Sequence, residues 1–361
     1  MQNNTIVGGL GGIHSSLFER ITSVENLFAA WREFIRGKAK KQDIAAFAAD
    51  LEEHIFALHR ELAEEGYRHG PYTHFVVRDP KWRDIHKATV RDRLLHHALV
   101  RVLTPLFEPQ FIFDSYSSRK GKGVHAAVTR LREFAWQLSR NNTKTVWILK
   151  CDIRKFFDSV DHAVLFEQCK KRISDERVIQ LLSDIIGSFS TPPLNLPLGE
   201  GERKKGIPLG NVTSQLFSNV YMHPFDEFVK RELRVKYYTR YADDFVLAAH
   251  TRQELESLIP RLRNSLSDPL SLVLHEDKVF LRKWHQGVDF LGYVLYPHYT
   301  VLRTKTKRRI LSAFTRKVRG CRDGEITIEK IDQTSQSYLG ILRHCKGVKI
   351  KKTLNGLYRS L

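Results

Sequence analysis

The run Val235-Lys236-Tyr237-Tyr238-Thr239-Arg240-Tyr241-Ala242-Asp243-Asp244-Phe245-Val246-Leu247-Ala248-Ala249 decides how this chain is read. Aromatic and β-branched residues flank the acidic pair on both sides, which predicts two short buried strands joined by a tight turn. Adjacent carboxylates at the tip of an apolar hairpin repel each other and lose hydration. A divalent cation relieves both costs. A solvated Asp-Asp turn is the competing reading, and such pairs are common in hairpin loops, so the dipeptide alone does not decide.

A second apolar stretch, Val146-Trp147-Ile148-Leu149-Lys150-Cys151-Asp152-Ile153, reads as a buried strand ending on a carboxylate. A carboxylate at that place is unusual unless it binds something. Asp152 and Asp243 stand ninety-one residues apart, so a joint metal site requires the two strands to be neighbours. They could then hold two Mg²⁺ ions roughly 3.5–4 Å apart, one acidifying an attacking 3′-hydroxyl and the other neutralising a leaving pyrophosphate. Hard, oxygen-preferring Mg²⁺ suits Asp ligands without histidine.

The composition points to a folded protein that meets a polyanion. Of 361 residues 42% are hydrophobic, and 59 Lys plus Arg against 40 acids give a net charge of +19. Nucleic acid is the first candidate partner. A membrane surface is disfavoured, because no amphipathic anchor or apolar run of spanning length is present. Four scattered cysteines, Cys151, Cys169, Cys321 and Cys345, read as reduced thiols of a cytoplasmic protein rather than disulfides or a zinc site.

Residues 1–20 read as a flexible leader. A helix with Thr22 as N-cap and Glu25 three residues on follows, then a second amphipathic helix through Phe47, Leu51, Ile55, Leu58 and Leu62. Tyr72, Phe75 and Val77 begin a strand-like region whose cations Lys81, Arg83 and Lys87 could grip a triphosphate; a solvated basic hairpin is the alternative. The loop from Phe111 to Gly123 is turn-rich, with Gly, Ser and cations. A Pro-Leu-Gly-rich linker covers 191–201, and Gly206 to Gln215 is a turn feeding a helix. Leu270, Leu272 and Leu274 read as a strand, and Val288 to Val294 as another with a tight bend. Residues 303–319 hold eight Lys or Arg and no acid on a helix with Ile310, Leu311, Phe314 and Val318 inward; a further helical region from about Ser335 carries Lys349, Lys351 and Lys352. Such a basic lobe suits a phosphate backbone.

Taken in order, Asp152-x-x-x-Phe156-Phe157-Asp158, Ile207-Pro208-Leu209-Gly210-x-x-x-Ser214-Gln215, Tyr241-Ala242-Asp243-Asp244, Glu276-x-Lys278 and Phe290-Leu291-Gly292-Tyr293 resemble a reverse transcriptase over roughly residues 20–361. The resemblance implies an α+β right-hand polymerase that binds deoxynucleoside triphosphates, template RNA and RNA/DNA heteroduplex. N-terminal helices and fingers would span 21–144, a palm of antiparallel sheet plus helices 145–299 with a fingers insertion at about 176–215, and a basic helical thumb 300–361. Asp152, Asp243 and Asp244 take the catalytic positions, and the Ile153 carbonyl is an extra metal ligand, with Mn²⁺ able to replace Mg²⁺. Phe157 falls at the sugar gate, Lys81, Arg83 and Lys87 at the triphosphate, Arg119 near the templating base, and Lys278 at the lysine that protonates pyrophosphate. Arg303, Lys305, Lys307, Arg308, Arg309, Arg316 and Lys317, with the three lysines near the C-terminus, line the nucleic acid.

Group II intron enzymes show Gln-Gly…Ser-Pro in the fourth block, whereas Leu209-Gly210-Asn211-Val212-Thr213-Ser214-Gln215 resembles the reverse transcriptases of diversity-generating retroelements. Ser337 to His344 is similar to the thumb of that group. The likeness implies error-prone copying opposite template adenine, a template-repeat RNA, a basic helical accessory protein oligomer and a bacterial or phage origin, with no endonuclease-like extension. Leu209 and Gln215 then border the nascent base pair. A bacterial antiphage defence reverse transcriptase using a non-coding RNA is the alternative, and an inactive RNA-binding scaffold is a third.

Overall fold

The computed structural model describes residues 16–78, 82–190 and 204–361, so Lys81, most of the expected leader and the linker at 191–201 lie outside the described residues. The chain forms two compact units. The first takes residues up to Phe75, then Asp84–Pro109 and His162–Val220; the second takes Val76–Arg83, Gln110–Asp161 and Tyr221–Leu361. The expected α+β class holds, with antiparallel sheets set among helices.

The first unit is mainly helical. Helices Leu17–Thr22, Val24–Phe34, Leu51–Ala63 and Val90–Phe107 bury Ile21, Leu27, Phe34, Ile55, Leu58, Leu94, Leu99 and Leu103 against one another. Thr22 does not cap the second helix. Its hydroxyl donates to the Phe18 carbonyl, and Ser23 caps instead, accepting from the Asn26 amide at 3.2 Å. The capping box sits one helix earlier, between Ser16 and Glu19. In the region read as strand-like, β1 (Thr73–Arg78) and β2 (Trp82–Lys87) form a two-stranded sheet whose residues Val76–Arg83 are counted with the second unit.

The second unit is built on a four-stranded antiparallel sheet of β3 (Trp147–Asp152), β4 (Tyr238–Tyr241), β5 (Asp244–Ala249) and β6 (Phe280–Lys283), in the order β4-β5-β3-β6. Ile148, Val246 and Ala248 join Ala127, Val128 and Leu131 of the helix Val124–Leu138 in one apolar cluster. The helix Arg252–Leu270 packs on β3 and β5 and runs further than its two prolines, Pro260 and Pro269, suggest. The strand expected at Leu270–Leu274 is therefore not formed. Leu270 ends that helix, Ser271 turns left-handed, and only Leu274 bridges to Ile153. The alternating burial that prompted the strand reading comes from this short extended segment beside the end of β3.

The stretch at 288–294 is a hairpin, β7 (Val288–Phe290) and β8 (Tyr293–Leu295), completed by β9 (Thr300–Leu302). Its two-residue turn, Leu291-Gly292, has positive φ at both positions, as the right-handed strand twist favours. Three helices follow, Thr304–Arg322, Ile328–Leu342 and Val348–Arg359, so the second basic helical region is two helices broken before Gly347. Ile310, Phe314, Val318, Ile331, Leu342, Ile350 and Leu354 form their core. Among the described residues no helix is long and apolar enough to cross a membrane.

Candidate active site

The two carboxylate-bearing elements are adjacent strands, as a shared site requires. In the β3–β5 ladder Asp152 is the register partner of Asp244, and β4 pairs Tyr241 with Asp244, leaving Ala242-Asp243 as a two-residue turn. The end of β3 is pinned from both sides. The Ile153 amide donates to the Asp243 carbonyl at 3.2 Å, and the His275 amide donates to the Asp152 carbonyl at 2.8 Å. Directly opposite residues of an antiparallel pair lie on the same face, so the Asp152 and Asp244 side chains share one side of the sheet.

Two lysines answer these charges. Lys278, at the end of the 3-10 turn Glu276–Lys278, donates to Asp152 Oδ1, and Lys150 Nζ stands 3.2 Å from Asp244 Oδ2. Burial pushes the Asp243 carboxyl above the ordinary carboxylate range, and the Asp152 charge pushes the same way. Burial likewise takes Asp244 up to about 7 although Lys150 opposes it. Asp244 Oδ1 is buried without a hydrogen-bond partner. Among the described residues no three His, Cys, Asp or Glu side chains already form a closed metal cage. Three carboxylates at one sheet end, two of them destabilised as anions and one with an orphaned oxygen, still fit a hard divalent cation.

The remaining expected site residues divide. Arg83 is exposed on β2, and its charge favours ionised Asp243. Phe157 is half-buried and packs edge-on to Phe156 with ring centres 5.3 Å apart. Lys87 is engaged elsewhere: with Arg93 it holds Asp43, at 3.0 and 2.6 Å, and against the effect of burial the two cations take the Asp43 carboxyl down to about 2. Arg119 braces its own loop, donating from Nη1 to the carbonyls of Ile112 and Ser115 at 2.7 and 2.9 Å. Leu209 and Gln215 belong to the first unit. There the Leu209 carbonyl accepts from the His86 amide, Asn211 donates to the His86 carbonyl, and Ser214 donates to the Pro208 carbonyl. This fixes the turn while Leu209 stays half-buried and Gln215 exposed.

Lys305, Arg309 and Arg316 line a groove of about 580 Å³ with Arg78, over Ile310 and Tyr338. Lys307, Arg308, Lys349, Lys351 and Lys352 are exposed, Lys317 donates to Thr334, and Arg303 pairs with Asp289 at 2.5 Å. Lys150 and the buried pair Arg240–Asp226 were missed in the sequence. Lys150 had a readable signal, since alternation along β3 puts it on the face of Asp152.

Residues 77–295 match the sequence profile of the family described as reverse transcriptase (RNA-dependent DNA polymerase). The chain is 29% identical over 248 residues to Protein YkfC of Escherichia coli K12, covering 60% of this chain and 63% of that protein. It is 22% identical over 350 residues to the group II intron-encoded protein LtrA of Lactococcus lactis, covering 78% and 56%. It thus spans less than two thirds of the length of either relative. Apo telomerase from Candida tropicalis aligns at a TM-score of 0.49 with 11% identity, over 80% of this chain and 62% of that one.

Proposed function

This chain belongs to the reverse transcriptase family, and from that premise we propose that it copies a template-repeat RNA of a diversity-generating retroelement into adenine-mutagenised cDNA. The polymerase chemistry is carried by one observation: Asp152 and Asp244 are register partners, with Asp243 in the turn beside them. Asp152, Asp243, Asp244 and the Ile153 carbonyl are the groups to hold Mg²⁺, which when bound would activate the primer 3′-hydroxyl and neutralise pyrophosphate. Lys278, which donates to Asp152, would give a proton to the leaving pyrophosphate. Phe157 offers a flat ring against the sugar, Arg83 a cation for the triphosphate, and the groove of Arg78, Lys305, Arg309 and Arg316 a track for the heteroduplex backbone. In this reading the N-terminal helices and fingers lie in 21–144, the palm, with a fingers insertion at about 176–215, in 145–299 and the thumb in 300–361, and a basic helical accessory oligomer attends the enzyme.

The subgroup reading is supported by Leu209. An apolar residue at a site that elsewhere carries glutamine removes a hydrogen-bonding clamp, and apolar sites discriminate weakly between polar groups. Sequencing cDNA made on a defined RNA tests it. Errors should concentrate opposite template adenine, and Leu209→Gln should lower them about tenfold, the worth of roughly one hydrogen bond. Errors spread evenly over the four bases, unchanged by Leu209→Gln, would exclude the mutagenic retroelement and favour the defence alternative.

A further inference from the structure

We propose that Arg240, clamped by Asp226, is the positioning residue that sets the Ala242-Asp243 turn and so aims Asp243. Arginine is almost never fully buried unless it is answered. Arg240 is 0% exposed and is the largest side chain so buried among the described residues. Asp226, also 0% exposed, takes its guanidinium as a fork, from Nε to Oδ1 at 2.8 Å and from Nη2 to Oδ2 at 2.6 Å. The Tyr238 hydroxyl donates to the same Oδ1 at 2.7 Å. A two-bond fork fixes the plane of the guanidinium as well as its position. From that fixed plane Nη1 donates to the Ala242 carbonyl at 3.0 Å.

That carbonyl belongs to the residue that needs holding. Ala242 has φ +54°, a left-handed conformation that a Cβ disfavours, and Asp243 is the next residue. The strand bearing Arg240 is itself tied down: its amide donates to the Asp114 carbonyl at 3.0 Å, its carbonyl accepts from the Tyr116 amide at 2.9 Å, and Nη2 reaches Ser115 Oγ at 3.2 Å. Burial works against the Arg240 charge, but Asp226 outweighs it and keeps the guanidinium ionised. The bland alternative is that the pair merely fills the core. An apolar pair of similar volume would then replace it at little cost, as buried ion pairs often permit.

The test uses the full chain and Mn²⁺ alone as probe, titrated by electron paramagnetic resonance without nucleic acid. Asp226→Leu/Arg240→Met keeps the site filled and uncharged, and Arg240→Lys keeps the charge without the fork. Both should bind Mn²⁺ about 10- to 100-fold more weakly than the parent, the usual effect of removing a group that orients metal-binding side chains. The metal concentration for half-maximal primer extension should rise by the same factor while thermal unfolding of the double variant stays near the parent's. Parental Mn²⁺ affinity in a folded double variant overturns the proposal; if that variant does not fold, parental affinity in Arg240→Lys overturns it instead. The inference rests on the polymerase reading only for its consequence. Loss of Mn²⁺ binding in the variants, with no extension even by the parent, would uphold the positioning role and defeat the polymerase.

Discussion

Asp92 and His96 sit about one turn apart on the helix Val90–Phe107 of the first unit, both essentially buried, and they are stabilised in opposite ways. Asp92 stays ionised because Thr89, Tyr67 and the Gly70 amide donate to it. His96 stays neutral: burial, then the neighbouring His69, pushes its pKa from 6.5 down to about 3. The unfolded chain therefore takes up this proton first as pH falls, so the stability His96 contributes is complete above 6.5 and is lost progressively towards 3. The slope is at most ~1.4 kcal/mol per pH unit for one proton. Urea unfolding between pH 7 and 4.5 should show a shallower loss of stability in His96→Leu than in the parent; equal slopes would contradict this. The same contrast explains what was legible at single residues. Asp152, Asp243 and Asp244 stand out because a carboxylate ending an apolar strand is rare. Arg240 could not be read, because its meaning depends on Asp226, fourteen residues earlier on a different element, and on a turn carbonyl that no side-chain pattern reveals.

At the scale of elements, period-2 and period-3.6 patterns identified the hairpins, β3 and most helices, since each of these buries one face. They failed where burial and hydrogen bonding part company. Leu272 and Leu274 are buried alternately without a ladder, and the helix Arg252–Leu270 runs through Pro260 and Pro269 to Leu270, where the strand reading began. Two glycines make the energetics of such positions measurable. Gly287, just before β7, has φ +84°, and a Cβ there would come 2.6 Å from the Tyr296 ring. Gly287→Ala should cost about 2 kcal/mol or more, combining left-handed strain with overpacking. Gly356, inside the helix Val348–Arg359, has open space around it, and Gly356→Ala should stabilise by up to ~1 kcal/mol through helix propensity. Thermal unfolding checks both signs. A neutral Gly287→Ala would mean that Tyr296 moves aside freely.

For the whole molecule, a net charge of +19 led to the expectation of a polyanion partner, and the groove of Arg78, Lys305, Arg309 and Arg316 gathers part of that charge in one place. Charge alone could not say where it gathers, because Lys87 and Arg303 look equally available in sequence yet are spent on Asp43 and Asp289. The ordered motifs carried more than any one of them, since their joint meaning requires β3 and β5 to be neighbours, and they are. The polymerase proposed above requires that the three carboxylates at that sheet end hold its metal. The most direct measurement is primer extension on an RNA template with Mg²⁺, comparing the parent with the near-isosteric Asp243→Asn. The parent should make Mg²⁺-dependent cDNA and the variant should lose about 10³-fold or more, equal to several kcal/mol of transition-state stabilisation, with RNA binding unchanged. No cDNA from the parent, or parental activity in Asp243→Asn, would contradict it.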